Sequence, residues 1–226
     1  MNRQQHFMSP ARVAGMILTP LLFVPWAQGA ERQFVPGQDV TVVKVLTASD
    51  NYHMTLGFGK LDSKIGNMGY FAYEQQGQWS ALGSGAGANS GASMRRLAVK
   101  GEAFDDPQQP YENWVQGVKF DLFVSENKVG TTYQWEGAGV GMGLVISPLG
   151  PNVSMHLTLG GDFSPAFAQF NSAGGADYQW NSYQELEYFF TDRLGVTLRH
   201  TRLSTGKDFA LERKDDQLWV GVRLMF

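Results

Sequence analysis

The sequence contains no cysteine, which excludes a disulfide framework, thiol catalysis and metal sites that use cysteine ligands. Charged residues make up only 17% of the chain, and their signs nearly cancel at a formal net charge of −3. A nucleic-acid-binding surface requires a basic excess, so we expect no nucleic-acid partner. After residue 26 no apolar run reaches the roughly 20 residues that a membrane-spanning helix needs.

Glycine and aromatic residues, by contrast, are abundant. The chain of 226 residues contains 27 Gly, 15 Phe, 8 Tyr and 6 Trp. This composition suits many short strands joined by turns, and the length suits one domain.

The amino-terminal segment has the features of a secretory signal peptide. Its first twelve residues include two arginines and no acidic residue, an apolar run then extends to Trp26, and small residues follow. This order predicts cleavage after Gly29, with a signal peptide over 1–29 and a mature chain of 30–226. A membrane anchor is the alternative, but the apolar run is short for a spanning helix and contains two prolines.

Apolar residues alternate with polar or small ones in several segments, as along the strands of a membrane β-barrel, where side chains point alternately to lipid and lumen. The clear segments are 52–59, 114–124, 139–146, 153–163, 182–190 and 194–203, and the weaker ones are 40–47, 68–75 and 94–104. With a terminal strand, they predict an all-β, antiparallel, up-and-down transmembrane barrel of eight strands, or of ten if every weaker segment is a strand. In 94–104 two arginines are adjacent, and we expect Arg95 to face outward at the rim.

The last nine residues alternate in the same way. Leu218, Val220, Val222, Leu224 and Phe226 share one face of the predicted strand. The segment resembles the closing strand of bacterial outer-membrane barrels, and the resemblance implies that its final Phe serves as an assembly signal. The edge strand of a soluble sandwich is the alternative.

Connection lengths predict how the barrel is oriented, because barrels of this class have short periplasmic turns and longer outside loops. We predict periplasmic turns at 147–152 and 191–193, with the last strand descending to the periplasm. The predicted outside loops are 76–93, 125–137, 164–179 and 204–216. The Gly/Ser-rich loop 76–93 resembles a domain linker in composition, but too little chain precedes it for a second core.

Charged residues fall on the inward face of the predicted strands, four of each sign. They are Lys100, Lys119, Arg199 and Arg223, with Asp121, Asp162, Glu185 and Glu187. The turn at 191–193 sets Glu185 opposite Arg199 on the neighbouring strand, as a cross-strand ion pair. An eight-stranded barrel is only just wide enough for its own side chains, so we expect these charges to pair and plug the lumen. A selective pore would carry a ring of one sign, and a narrow channel stays open as an alternative.

Two histidines, His53 and His156, also fall on the inward face. They could bind metal or relay protons, or they could be neutral side chains that are hydrogen-bonded in a polar lumen. Without cysteine or paired-histidine spacing nearby, we favour the second interpretation and expect no metal site.

His200, Ser204 and Glu212 have the residue types of a nucleophilic catalytic triad. In outline they resemble the lipid A deacylases of the outer membrane, which carry a His and a Ser near the end of the chain. Those enzymes place the two residues two apart and follow the Ser with Asn, whereas here the spacing is four and Thr205 follows. A lipid-modifying hydrolase is therefore an alternative function, and the leading expectation is a barrel without a catalytic site.

Several strand and turn motifs lie in the carboxy-terminal half. They are the run from Gly141 to Pro151, the triplet Tyr183-Gln184-Glu185, the run from Leu194 to Arg199 leading to Gly206-Lys207-Asp208, and the run from Val220 to Phe226. Over roughly residues 138–226 the chain resembles the YfaZ-type outer-membrane proteins, which are small barrels of Gram-negative bacteria. The resemblance implies fold and location, and it carries over no catalytic residue.

We therefore expect a monomeric outer-membrane barrel, without cofactor, that has a structural or surface-interaction role. Its expected partners are outer-membrane lipids, including lipopolysaccharide, and the barrel-assembly machinery.

Overall fold

The computed structural model describes most of the chain after the predicted signal peptide. The described residues are 35–62, 67–79, 92–104, 115–146, 155–173, 176–191, 193–207 and 210–226. The predicted signal peptide 1–29 and turn 147–152 lie outside them, as does most of the predicted loop 76–93. No helix within these ranges is long and apolar enough to cross a membrane.

Strands make up nearly all of the described structure. They are β1 (Asp39–Ala48), β2 (Asn51–Leu61), β3 (Met68–Gln78), β4 (Ala92–Phe104), β5 (Val115–Val129), β6 (Tyr133–Ile146), β7 (Met155–Pro165), β8 (Gln169–Ala173), β9 (Tyr178–Phe189), β10 (Leu194–Lys207) and β11 (Ala210–Met225). A short 3-10 helix, Ala166–Ala168, separates β7 from β8.

Ten of the strands form a closed antiparallel barrel. Each pairs with its neighbour in the chain, except that β7 pairs with β9, and β1 pairs with β11 to close the circle. The extra strand β8 continues the path of β7 past the 3-10 helix, because both pair with β6, over Val140–Ile146 and Gln134–Gly137. The leading prediction of eight strands was wrong, and the alternative of ten is confirmed.

The strand registers give the tilt of the barrel. Following the paired residues from Leu46 through β2 to β5 leads to Trp135 on β6. Following them from the next residue, Thr47, through β11, β10, β9 and β7 leads to Ile146. When both paths start from the same residue of β1, they reach β6 at positions about 12 residues apart. For a barrel of ten strands, this offset corresponds to a strand tilt of about 40° from the barrel axis.

Side chains alternate between the two faces of the barrel wall as predicted. On β2, for example, Met54, Leu56 and Phe58 are exposed on the outside, whereas Thr55 and Gly57 are buried inside. On the weaker segment 40–47, apolar residues lie on both faces of the strand. On β1, Val40 and Val42 pack inside the barrel, so the contrast with the outward valines is lost.

Two of the predicted outside loops are strands instead. Within 125–137, β5 continues to Val129 and β6 begins at Tyr133, with Gly130 in the left-handed region at φ 60°. Within 204–216, β10 continues to Lys207 and β11 begins at Ala210. Strand pairing continues there although the outward residues become polar, which the apolar alternation cannot detect. The predicted loop 164–179 contains the 3-10 helix and β8.

The connection lengths do not support the rule from which the orientation was predicted. We call the end of the barrel at which β11 ends the lower end, and the opposite end the upper end. At the upper end only residues 49–50 separate β1 from β2, whereas at the lower end residues 105–114 separate β4 from β5. A short connection therefore occurs at the upper end and a long one at the lower end, which for this pair is the opposite of the predicted arrangement.

Apolar side chains fill the two ends of the lumen unequally. The lower end contains a large apolar cluster made of Val40, Val42, Leu61, Met68, Tyr70, Ala72, Phe189 and Met225. A smaller cluster of Leu46, Ala48 and Trp219 lies toward the upper end. The interior between them is polar and charged.

Candidate functional site

In the part of the chain that the structure describes, twelve charged side chains occupy the middle of the lumen. They are Lys44, Arg96, Lys100, Lys119, Arg199 and Arg223, with Glu74, Glu102, Asp121, Asp162, Glu185 and Glu187. Six of each sign leave this set without net charge, so every charge has a counter-charge close by.

Arg96 organises the first group of charges, which we call the Arg96 cluster. Its guanidinium lies 2.7 Å from a carboxylate oxygen of Asp162, 2.8 Å from Asp121 and 3.5 Å from Glu74. Lys100 lies 3.1 Å from both Glu74 and Asp121. The bonds to Asp162 and Asp121 come from the two terminal nitrogens of one rigid fork, which is a geometry that arginine favours.

Glu187 is the centre of the second group, the Glu187 cluster. Its carboxylate lies 2.8 Å from Lys119, 2.9 Å from Lys44 and 3.3 Å from Arg223. The neighbouring Glu185 shares two of these cations, at 2.9 Å from Lys44 and 3.2 Å from Lys119.

Two further contacts extend the Glu187 cluster. Arg223 bridges to Glu102 at 3.0 Å, and the hydroxyl of Tyr70 donates to the same carboxylate at 2.9 Å. On the other side, Arg199 lies 3.8 Å from Glu185, its partner in the β9–β10 register. The predicted pairing of Glu185 with Arg199 is therefore confirmed.

Gly141 gives the Arg96 cluster the space that it needs. It faces Asp121 on β5 and Asp162 on β7 in the strand registers. A Cβ at Gly141 would collide with the carboxylate of Asp121 and would come within 2.5 Å of that of Asp162. A residue without a side chain therefore lets both carboxylates reach Arg96.

The charged groups divide the free space of the lumen. One cavity of about 60 Å³ and another of about 40 Å³ share Arg96, Asp162 and Arg199 among their lining residues. Sites for small organic ligands usually have volumes of roughly 300–1,000 Å³. Each cavity has room for a few water molecules only, and paired charges separate the two.

All six residues of the predicted lumen network lie in these clusters. Asp121 belongs to the Arg96 cluster, and the other five, Lys119, Glu185, Glu187, Arg199 and Arg223, belong to the Glu187 cluster. The prediction missed four inward charges, Lys44, Glu74, Arg96 and Glu102. All four lie on β1, β3 and β4, where the alternation was weak, although the expected outward position of Arg95 already implied an inward Arg96.

The two inward histidines lie in different surroundings. His53 is buried toward the upper end, with its ring 6.0 Å from that of Trp219. His156 lies at the lower end, between the rings of Phe104 and Phe189 at 5.5 and 5.8 Å. Among the described residues no group of three or more His, Asp or Glu side chains is arranged to hold a metal ion.

His200 lies on the outer surface, in a group that we call the rim cluster, made of Gln184, His200, Arg202, Arg213 and Asp216. Its Nδ1 is 2.9 Å from Oε1 of Gln184, and its Nε2 is 2.6 Å from Oδ1 of Asp216. The other carboxylate oxygen of Asp216 accepts from Arg202 at 3.2 Å and from Arg213 at 3.3 Å. The hydrogen bond from His200 lowers the pKa of Asp216, with the charge of Arg202 adding to the effect.

The structure does not bring His200, Ser204 and Glu212 together. His200 and Ser204 are four residues apart on β10, roughly 13 Å along an extended strand, with a register shift between them. Ser204 is buried, whereas Glu212 is exposed and pairs with Lys214 at 2.6 Å. The neighbours of His200 are Gln184 and Asp216, which strand parity could have indicated once 204–216 was recognised as strand.

No known family model matches the chain, and no curated protein matches it in sequence. The resemblance to the YfaZ-type proteins stays a prediction.

Proposed function

We propose that the protein is a membrane-spanning barrel of the outer membrane, with a plugged lumen and a structural or surface-interaction role. The observation that carries the proposal is the reversed polarity of the barrel wall. Phe120 is 53% exposed on the outside, while its chain neighbours Lys119 and Asp121 pair inside the lumen. A protein surrounded by water would place these side chains the other way round.

The apolar outer surface extends over at least eight of the ten barrel strands, namely β2 to β7, β10 and β11. Its exposed members include Met54, Leu56, Phe58, Phe71, Leu97, Val99, Phe120, Leu122, Val140, Met142, Leu144, Leu159, Leu198, Leu218 and Val222. On β11 the outward apolar residues extend from Leu218 to Phe226, which at a tilt of about 40° is a height of about 20 Å. Membrane barrels have an apolar band of about 25 Å, and soluble monomers rarely expose patches of more than a few hundred Å².

A closed barrel also solves the problem that lipid poses for the backbone. In a bilayer every N–H and C=O group needs a partner within the protein, and a closed sheet has no unpaired edge. Here the wall closes through β1 and β11, where Thr41 and Phe226 exchange two backbone hydrogen bonds of 2.9 and 3.0 Å.

The strand-only fold and the predicted export signal, which lies outside the described residues, support the proposed location. We propose the outer membrane of a Gram-negative cell, a monomeric state, contact with lipids including lipopolysaccharide, and insertion by the barrel-assembly machinery.

The paired lumen charges favour a plugged barrel over a channel, since a selective pore tends to carry charges of one sign. A channel would give discrete conductance steps in planar bilayers, and we expect none.

Refolding into detergent micelles tests the proposal. The described strands should form a barrel that partitions entirely into micelles and migrates differently on gels before and after boiling. A protein that stays monomeric and folded in buffer without detergent would contradict the proposal. Fractionation of cells that express the whole chain should recover it with the outer membrane.

A further inference from the structure

The rim cluster contains more positive than negative groups. The guanidinium groups of Arg202 and Arg213, together with the imidazole ring of His200, surround the single carboxylate of Asp216. The side chains of Arg202 and Arg213 remain 50% and 65% exposed. In the described part of the chain Arg202 donates only through Nε, and Arg213 only through Nη1, so most of their N–H groups face solvent.

Apolar surface lies directly below the rim cluster. His200 is paired across β10 and β11 with Leu218, which is 62% exposed, and Leu198 is the next outward residue below it. On the same outer face, the order from the upper end downward is therefore arginine, histidine and leucine. A phosphorylated lipid has the same order, with an anionic headgroup above acyl chains.

We propose that the rim cluster binds the phosphate headgroup of a phosphorylated membrane lipid, with the acyl chains along Leu198 and Leu218. Arg202 and Arg213 donate to the phosphate oxygens, because guanidinium groups match phosphate geometry. Asp216 is a positioning residue that holds both arginines and His200 on one face. The proposal rests on the proposed function, since the acyl chains need a bilayer around the barrel.

Arg95 on β4 provides a matched control. It is also outward and exposed, just above the apolar Leu97, but its partners in the strand registers are Gln75 and Glu126. Its two register partners are therefore an amide and an acidic residue, and neither is an arginine. Arg95→Gln removes one outward charge without touching the rim cluster.

The experiment measures lipid binding to the full mature chain, refolded in a non-ionic detergent, by native mass spectrometry. The probes are diphosphorylated lipid A, its dephosphorylated form and inorganic phosphate. We expect lipid A to bind at least tenfold more weakly to the Arg202→Gln/Arg213→Gln variant, and equally well to Arg95→Gln and the unchanged protein. The dephosphorylated lipid should bind as weakly to the unchanged protein as lipid A does to the double variant.

Several results would overturn the inference. One is that lipid A binds equally well to the double variant and to the unchanged protein. Another is that the unchanged protein binds the dephosphorylated lipid as well as lipid A. A third is that inorganic phosphate competes at the concentration of the lipid, which would identify a free anion as the ligand. Each variant is first checked for heat-modifiable gel mobility. A folded barrel in micelles that binds no lipid A refutes this inference alone, whereas failure to enter micelles refutes the proposed function.

Discussion

The two faces of β5 have opposite chemistry over a few consecutive residues. Outward Phe120 and Leu122 are exposed, whereas inward Lys119 and Asp121 are held in ion pairs of 2.8 and 3.1 Å. The same contrast recurs on β9, where Leu186 lies between Glu185 and Glu187. The wall therefore separates an apolar exterior from a charged interior, and each face should respond differently to the same substitution.

Removing the central cation of the Arg96 cluster should cause the largest loss in the free energy of unfolding. Arg96→Met leaves Glu74 and Asp121 paired with Lys100, and it leaves Asp162 with the side-chain amide of Asn181 at 3.1 Å. Breaking a buried ion pair costs about 3–5 kcal/mol, so we expect a loss of that size in the free energy of unfolding. Urea titration of the refolded protein, followed by gel mobility, measures it. Adding Asp162→Asn should restore part of the loss, and a fully stable Arg96→Met would refute the paired lumen.

A charge on the outer face should come next. Met142→Arg introduces a cation where the side chain is 64% exposed within the apolar surface, and arginine at a bilayer midplane costs about 2–4 kcal/mol. Leu211→Arg is the matched control, because Leu211 is 65% exposed in the upper part of β11. We expect the folded fraction in lipid vesicles to fall for Met142→Arg only. Equal effects would show that both positions face the same solvent.

A methyl group inside the lumen should have a smaller effect. Gly141→Ala pushes on the carboxylates of Asp121 and Asp162, and overpacking typically costs about 1–3 kcal/mol. Gly69→Ala is the control, because an added Cβ there would meet only a backbone oxygen at 4.0 Å. Thermal unfolding in detergent should separate the two variants, and identical midpoints would argue against tight packing around Gly141.

The smallest expected effect concerns hydrolysis. Neither the unchanged protein nor Ser204→Ala should remove acyl chains from lipopolysaccharide or phospholipid. The reason is that Ser204 and His200 lie too far apart to act together. Mass spectrometry of lipids incubated with each form makes the comparison. Loss of an acyl chain with the unchanged protein alone would restore the hydrolase alternative.

Much of the barrel could be predicted because alternation depends only on side-chain polarity. The faces of β2, β5 and β9, and the pairing of Glu185 with Arg199, follow from that period and from one short turn. Where both faces are apolar, as at the lower end of β1, the alternation of apolar and polar residues is weak. The sequence therefore left the number of strands open. Where outward residues are polar, as in 125–137, strands were mistaken for loops.

The site residues were predicted or missed for the same reason. Inward charges on clear strands were predicted, whereas Lys44, Glu74 and Glu102 on the weaker ones were missed. The partner of His200 could not be identified, because Asp216 lay in a predicted loop. Asp216 lies opposite Arg202 because of the register between β10 and β11, and that register depends on the whole hairpin that these two strands form.

Because the chain contains no cysteine, single labels can test directly whether the apolar outer face lies in lipid. Val99→Cys and Leu211→Cys each place one label at an exposed position, the first within the apolar surface and the second in the upper part of β11. In vesicles, a fluorophore at position 99 should be quenched by bromine-labelled lipid tails and protected from a water-soluble quencher, with the opposite result at position 211. Quenching of both labels by the water-soluble agent alone would contradict a membrane-spanning barrel.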